Sequence, residues 1–228
     1  MQHAITHENA QVDAQTGPCR LCLQHEARRS TQPWNQPLFE SPNFDVLPSL
    51  GALVEGWLLI IPRDHYLSSG AIPGSLTSEL SQVKSIVAEL VSSTFGPATV
   101  FEHGPSGSQH LTGCGIDHAH LHVVPLEFDL RIASEPLLPS GVSFKPGGVD
   151  ACRAAVEAAL DYLYLELPGR NGLIATSTDF GSQLFRHAIA RQLGIADEYK
   201  WRDYPQMPKV ARTIERLTSL SLPKTIAA

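Results

Sequence analysis

The chain has 228 residues, of which 43% are apolar and 18% charged, and a net charge of −6 with its histidines neutral. That length suits one domain with a substantial extension, or two small domains, and the apolar content is far above that of a disordered chain. The acidic balance excludes a broad basic surface for nucleic acid, leaving room only for a local cationic pocket for phosphate. No apolar run approaches the ~18 residues that cross a bilayer, so no membrane partner is expected. The longest run, Trp57 to Ile61, is strand-sized. The opening MQHAITHENAQVDAQTGP lacks the apolar stretch of a secretory signal, so a reducing, cytoplasmic setting is expected and the four cysteines are expected as thiols rather than disulfides.

Residues 1–18 are polar and unpatterned, and a mobile leader is expected there. HEARRSTQPWNQP then separates a C-x-x-C pair, Cys19 and Cys22, from the first apolar segment. LFESPNFDVLPSL alternates weakly, with a break at Pro42, and GWLLIIPRDH predicts a buried strand ended by Pro62, after a turn bracketed by Gly51 and Gly56. SLTSELSQVKSIVAELVSSTF repeats apolar residues at helical spacing, with Ser75 as N-cap and Glu79 in the first turn. TVFEHG predicts a strand running into a glycine, and GPSGSQHLTGCG a loop. IDHAHLHVVPL alternates strictly, which predicts a strand with 118, 120 and 122 on one face. After a looser stretch to about Val149, ACRAAVEAALDYLYLEL predicts a helix leading into a strand. SQLFRHAIARQLG predicts a helix closed by Gly194, and KVARTIERLTSL another after Pro208. The order argues for an α+β domain over 19–130, with a mainly helical C-terminal extension over 131–228 packed upon it.

His118, His120 and His122 form the most informative pattern. Three imidazoles on one strand face, successive ones roughly 7 Å apart, suit either metal binding or a nucleophilic imidazole paired with a donor to phosphate oxygens. The cysteine pair is half of a tetrahedral zinc site, a spacing also found in redox motifs, although no thioredoxin-like βαβ pattern surrounds it.

HAHLHVVP resembles the signature of the histidine triad family, His-x-His-x-His followed by two apolar residues, and LLIIPRDHYLSSGAI is similar to that family's strand-plus-histidine segment. The resemblance spans about residues 19–126 and implies an antiparallel sheet with flanking helices. It also implies hydrolysis or transfer at a nucleotide α-phosphate. It casts His120 as the nucleophile, forming a covalent nucleotidyl-histidine, and His122 as a donor to the phosphate oxygens or an acid for the leaving group. The main chain around Ala119 would fix the tautomer of His120. In zinc-containing members, related to the galactose-1-phosphate uridylyltransferase superfamily, two histidines complete the metal site. The corresponding set is Cys19, Cys22, His65 and His118, a closed and therefore structural Zn²⁺ site, with His25 as the rival fourth ligand.

Substrate-binding candidates surround the triad. The backbone of Gly113, Cys114 and Gly115 offers N–H donors. Glu102 and His103 stand where relatives carry Asn-x-Gly, and Ser106, Ser108 and Gln109 share the same loop. Gln183 and Arg186 open a helix as a phosphate clamp, the bland reading being a solvated face. Trp201 and Tyr204 suit either stacking on a base or packing a helix on the sheet. Where adenosine-binding relatives hold the ribose with an acidic residue this chain has Ser49, with Asp45 as a substitute. Cys152 is expected in the core.

The expected function is a nucleotide hydrolase or nucleotidyltransferase, with hydrolysis or phosphorolysis favoured because His122 stands where the uridylyltransferase branch has Gln. The expected partner is a nucleotide or nucleotide-linked small molecule. Small relatives form two-fold homodimers, an assembly open to this chain unless the extension covers that interface. The rivals are a nucleotide sensor without turnover and a catalytic-zinc hydrolase using all three triad histidines.

Overall fold

The computed structural model describes residues 19–22, 32–108 and 115–226. The expected leader, His25, Gln109, Gly113 and Cys114 lie outside these residues. Described in chain order are β1 (Phe39–Glu40), β2 (Phe44–Pro48), β3 (Leu58–Pro62), α1 (Thr77–Phe95), β4 (Ala98–Gly104), β5 (Leu121–Pro125) and α2 (Leu130–Ser134). They are followed by β6 (Lys145–Pro146), α3 (Val149–Glu157), β7 (Asp161–Glu166), β8 (Leu173–Ser177), α4 (Leu184–Gln192) and α5 (Met207–Ser219). The architecture is α+β: one antiparallel sheet in the order β1-β2-β3-β5-β4-β7-β8-β6, with helices on both faces. No helix among the described residues is long and apolar enough to cross a membrane.

Burial on both faces explains the continuous apolar text of β3, whose five residues are all buried. Leu58 and Ile60 join Val46, Val100, Leu121 and Val123 under α1, while Leu59 and Ile61 join Leu47, Phe101, Leu163 and Leu165 on the α4 side. In α1 the inward stripe is Leu80, Val83, Val87 and Val91, narrower than the full apolar set, since Ile86 is exposed. Ser75 does not cap this helix: a tight turn, Gly74–Leu76, runs straight into it without a side-chain cap. Glu79 instead reaches across to Ser41 and to both the backbone and side chain of Asn43, tying the β1–β2 turn to the first turn of α1.

The extension enters the same sheet. β7 pairs with β4 over five positions, from Val100 with Glu166 to Gly104 with Tyr162, so β4 has neighbours on both sides. β8 and β6 then lengthen the sheet beyond β7. These two strands carry little sequence signal, because β8 is only partly buried and β6 has two exposed residues. On the other flank, Glu40 and Thr225 form a bridge. α4 buries Phe185, Arg186, Ala188 and Ile189 against the sheet, and Thr213 of α5 accepts the Gly56 N–H at 2.8 Å.

Gly51 fastens the extension to the β2–β3 turn. Its N–H donates to the Pro205 carbonyl, its own carbonyl accepts from Arg186, and its φ of +72° lies in the left-handed region that favours glycine. A Cβ here would stand 2.5 Å from Cβ of Trp201 and 2.9 Å from the Arg186 guanidinium.

Candidate functional site

The β5 ladder begins at Leu121, so His118 and His120 stand just before it, and the three histidines diverge in role. The Ala119 N–H donates to the Tyr66 carbonyl at 2.6 Å, pinning this approach to the segment that follows β3. All three side chains are buried, at 1%, 5% and 3% exposure in chain order.

His118 turns toward the cysteine pair. Its Nδ1 lies 3.4 Å from Sγ of Cys19 and 3.5 Å from Sγ of Cys22, and Cys22 lies 3.3 Å from Nδ1 of His65. The four ligand atoms all lie within 4.8 Å of one another. For Zn–S near 2.3 Å and Zn–N near 2.0–2.1 Å, the S···N edge of a tetrahedron is about 3.5 Å, so the three S···N separations above match those of a zinc site. The Nε2–H of His118 donates to the Pro62 carbonyl at 2.8 Å, which leaves Nδ1 unprotonated and facing the cluster, as a ligating histidine requires. The expected ligands are thus brought together from three distant parts of the chain.

His120 and His122 face a cleft of about 510 Å³, partly open to solvent. Their ring centroids are 4.9 Å apart. His120 Nδ1–H donates to the His118 carbonyl at 2.6 Å, which fixes the tautomer and leaves the lone pair on Nε2. The acceptor belongs to the peptide unit joining His118 to Ala119, within the main chain expected to fix this tautomer. His122 Nδ1 accepts from the indole N–H of Trp57 at 2.9 Å, so its own proton sits on Nε2. Phe101 stacks on His122 with centroids 4.5 Å apart. Burial lowers the pKa of His120 and Arg186 adds to this, against the opposing pull of the His118 carbonyl. Burial, with His120, His103 and Arg186 nearby, holds His122 well below the usual imidazole range. Both rings are therefore neutral at pH 7.

Arg186, 1% exposed, is the deep cation of the cleft. α4 carries it inward, where its Nε donates to the Tyr199 carbonyl at 2.9 Å and its guanidinium lies 4.8 Å from the Trp57 ring centroid. A buried guanidinium beside two neutral imidazoles makes a site for an anion. Leu47, Leu59 and Trp34 line the cleft with apolar surface suited to a flat ring, and Ser49 is among the lining residues.

The chain is similar to histidine triad proteins. Among solved structures it matches a hypothetical histidine triad nucleotide-binding protein of Sulfolobus tokodaii at 20% identity, covering 62% of this chain and 91% of that one, with a TM-score of 0.38. It matches a Zn-bound histidine triad family protein of Mycobacterium smegmatis at 18% identity, with the same coverage and a TM-score of 0.38. A Hit-like protein of Bartonella henselae, involved in cell-cycle regulation, matches at 16% identity over 54% of this chain and 85% of that one, with a TM-score of 0.34. A curated relative, the zinc finger CCCH domain-containing protein 64 of Arabidopsis thaliana, is 29% identical over 168 residues, 67% of this chain. The chain spans only 27% of that relative's length. No model of a known protein family matches the chain.

The other expected contacts divide. Glu102 faces away from the cleft, because adjacent residues of a strand point to opposite faces. It is buried against Ser69 and Tyr162, taking the Ser69 N–H at 2.8 Å, and burial raises its pKa against the pull of these donors. His103 lies on the cleft side but behind His122, its Nε2 accepting the Phe185 N–H at 3.0 Å. Gln183 sits in the left-handed region just before α4, makes no side-chain cap and does not line the cleft. Ser108 is exposed, whereas Ser106 binds Asp161 through its N–H and hydroxyl. The Gly115 carbonyl accepts from Arg202 at 2.6 Å. Asp45 is held by Arg63 at 3.0 Å, and Cys152 is in the core.

Sequence reading did not assign Trp57, Arg20 or Leu21 to the site. Trp57 carried one signal, since a buried indole N–H requires an acceptor. Arg20 and Leu21 reach the cleft wall because the residues on either side of them, Cys19 and Cys22, belong to the metal cluster.

Proposed function

We propose that this chain is a histidine triad enzyme, a nucleotide hydrolase or nucleotidyltransferase that acts at a nucleotide α-phosphorus through a nucleotidyl-His120 intermediate. The observation that carries this reading is the hydrogen bond from His120 Nδ1 to the His118 carbonyl, which leaves a neutral Nε2 as nucleophile beside His122 and Arg186. Nε2 attacks phosphorus, the bond to the leaving group breaks, and that group departs with the electron pair. Water then attacks the phosphorus, the P–N bond breaks, its electron pair returns to Nε2, and a proton passes to solvent. Because Trp57 occupies Nδ1 of His122, this neutral ring presents Nε2–H to a phosphate oxygen as a hydrogen-bond donor, in preference to acting as the acid. Arg186 stabilises the charge that builds on the equatorial oxygens.

Cys19, Cys22, His65 and His118 would hold a structural zinc ion with no open position. The ion supplies no step in the chemistry. It fastens the segment bearing Arg20 and Leu21 to the backbone that positions His120. A nucleotide or nucleotide-linked small molecule is the expected ligand.

Incubation with α-³²P-labelled nucleotides tests the reading. The expected result is an acid-labile, base-stable protein adduct that His120→Ala abolishes. Binding without any adduct would favour a sensor, and an adduct that survives His120→Ala would overturn the assignment of the nucleophile.

A further inference from the structure

The cleft carries a second cationic feature, remote in sequence from the triad. Trp201 lines it beside Arg20, whose guanidinium carbon lies 5.1 Å from the Trp201 ring centroid. Arg202 approaches the same ring at 4.7 Å and is itself exposed, so this end of the cleft meets solvent. Among the described residues no carboxylate pairs with Arg20 or Arg202. Both guanidinium groups lie within about 5 Å of one indole ring. Two like charges gathered on one aromatic ring, with no carboxylate paired to them among the described residues, repel each other, and a bound anion relieves that repulsion.

We infer that Arg20, Trp201 and Arg202 form an anion subsite that receives the further phosphates of a polyphosphate leaving group. The inference rests on the assignment of His120 to the scissile phosphorus and extends it along the substrate. Arg186 and the two imidazoles surround the reacting phosphate, while half-buried Arg20 on the cleft wall and exposed Arg202 beside it meet the phosphates beyond it. Guanidinium forks match phosphate oxygens, and contact with a flat indole restricts their rotamers. Arg202 also donates to the carbonyl of Gly115, three residues before His118. A compact phosphate chain fits better than an extended nucleic acid, because the whole chain is acidic.

Isothermal titration of the full, zinc-loaded chain with inorganic tripolyphosphate and with inorganic monophosphate, at constant ionic strength, tests this. Tripolyphosphate should bind about tenfold or more tightly than monophosphate, and the Arg20→Ala/Arg202→Ala double variant should bring the ratio close to one. Arg20 lies between two metal ligands, so Arg202→Ala alone, at an exposed position, should lower the ratio about threefold with zinc content unchanged. A wild-type ratio near one, or a ratio indifferent to both variants, overturns the subsite. The labelled-nucleotide adduct separates the two claims. If the adduct forms and the preference is missing, the subsite is wrong. If the preference depends on arginine but no adduct forms, the subsite stands and the reading of His120 falls.

Discussion

His103 accepts the backbone N–H of Phe185 at 3.0 Å, so a side chain of β4 receives the first turn of α4. The next residue is Arg186, and this one bond therefore sets where the deep cation enters the cleft. Replacing His103 with Leu leaves a buried N–H without its acceptor, an expected loss of about 1–3 kcal/mol in chemical denaturation. Nucleotide turnover should fall with it, because Arg186 shifts. His103→Gln, which keeps an acceptor, should recover much of both.

The same residue gives a pH signature. Burial, with His120 and Arg186 adding, pushes the His103 pKa down to about 3. The unfolded chain takes up this proton near pH ~6.5. Between these values the unfolded state binds more protons, so the contribution to stability is intact above ~6.5 and is lost as pH falls toward 3. The melting temperature of the zinc-loaded protein should drop from pH 7 to pH 5, and less steeply in His103→Gln. Equal slopes, with zinc content verified at each pH, would count against a neutral buried ring at 103.

Removing the metal should reach the cleft as well as the fold. Cys22 approaches both His65 and His118, so Cys22→Ser breaks two sides of the cluster. The expected results are loss of zinc by elemental analysis, a melting temperature lower by about 10 °C, and weaker nucleotide binding as Arg20 and Leu21 leave the wall. Unchanged zinc content in this variant would point to the triad as the metal's true home.

Two substitutions separate chemistry from orientation. His120→Ala should cut turnover on the order of a thousandfold or more, with binding largely kept. Trp57→Phe removes the donor that fixes the His122 tautomer, along with part of the buried ring that Arg186 packs on, and should lower kcat about tenfold, with a smaller change in KM. A Trp57→Phe enzyme with full kcat would show that this tautomer is not needed.

Gly51→Ala should destabilise the protein by about 2 kcal/mol or more, since a side chain there combines a left-handed backbone with a clash at Trp201. Tryptophan fluorescence alongside denaturation would report whether the indole moves.

Much of this architecture was legible in the residues. Alternation marked β5, heptad-like spacing marked α1, and Cys19, Cys22, His65 and His118 were readable as a ligand set once the family resemblance ordered them. What stayed hidden was contact between distant segments. Nothing local distinguishes Arg20 from a surface residue, and Trp201 was readable only as a ring that stacks on a base or packs a helix, because their place in the cleft depends on the cysteine–histidine cluster near one end of the chain and on α4 and the Gly51 clasp near the other. Glu102 and His103 are neighbours in a strand that turn to opposite faces, and choosing between them requires knowing which face carries the cleft. His118 parted from its two companions because the ladder begins only at Leu121.

The pairing of β4 with β7 also bears on biosynthesis. On the ribosome, β4 emerges well before its outer partner β7, since β5, α2, β6 and α3 must be made in between. Until β7 arrives, a seven-residue strand buried along its whole length in the finished protein has one row of backbone groups unmatched. Shielding that nascent edge from neighbouring chains is a task for the cell's folding assistants, and shortened versions lacking β7 should aggregate during expression.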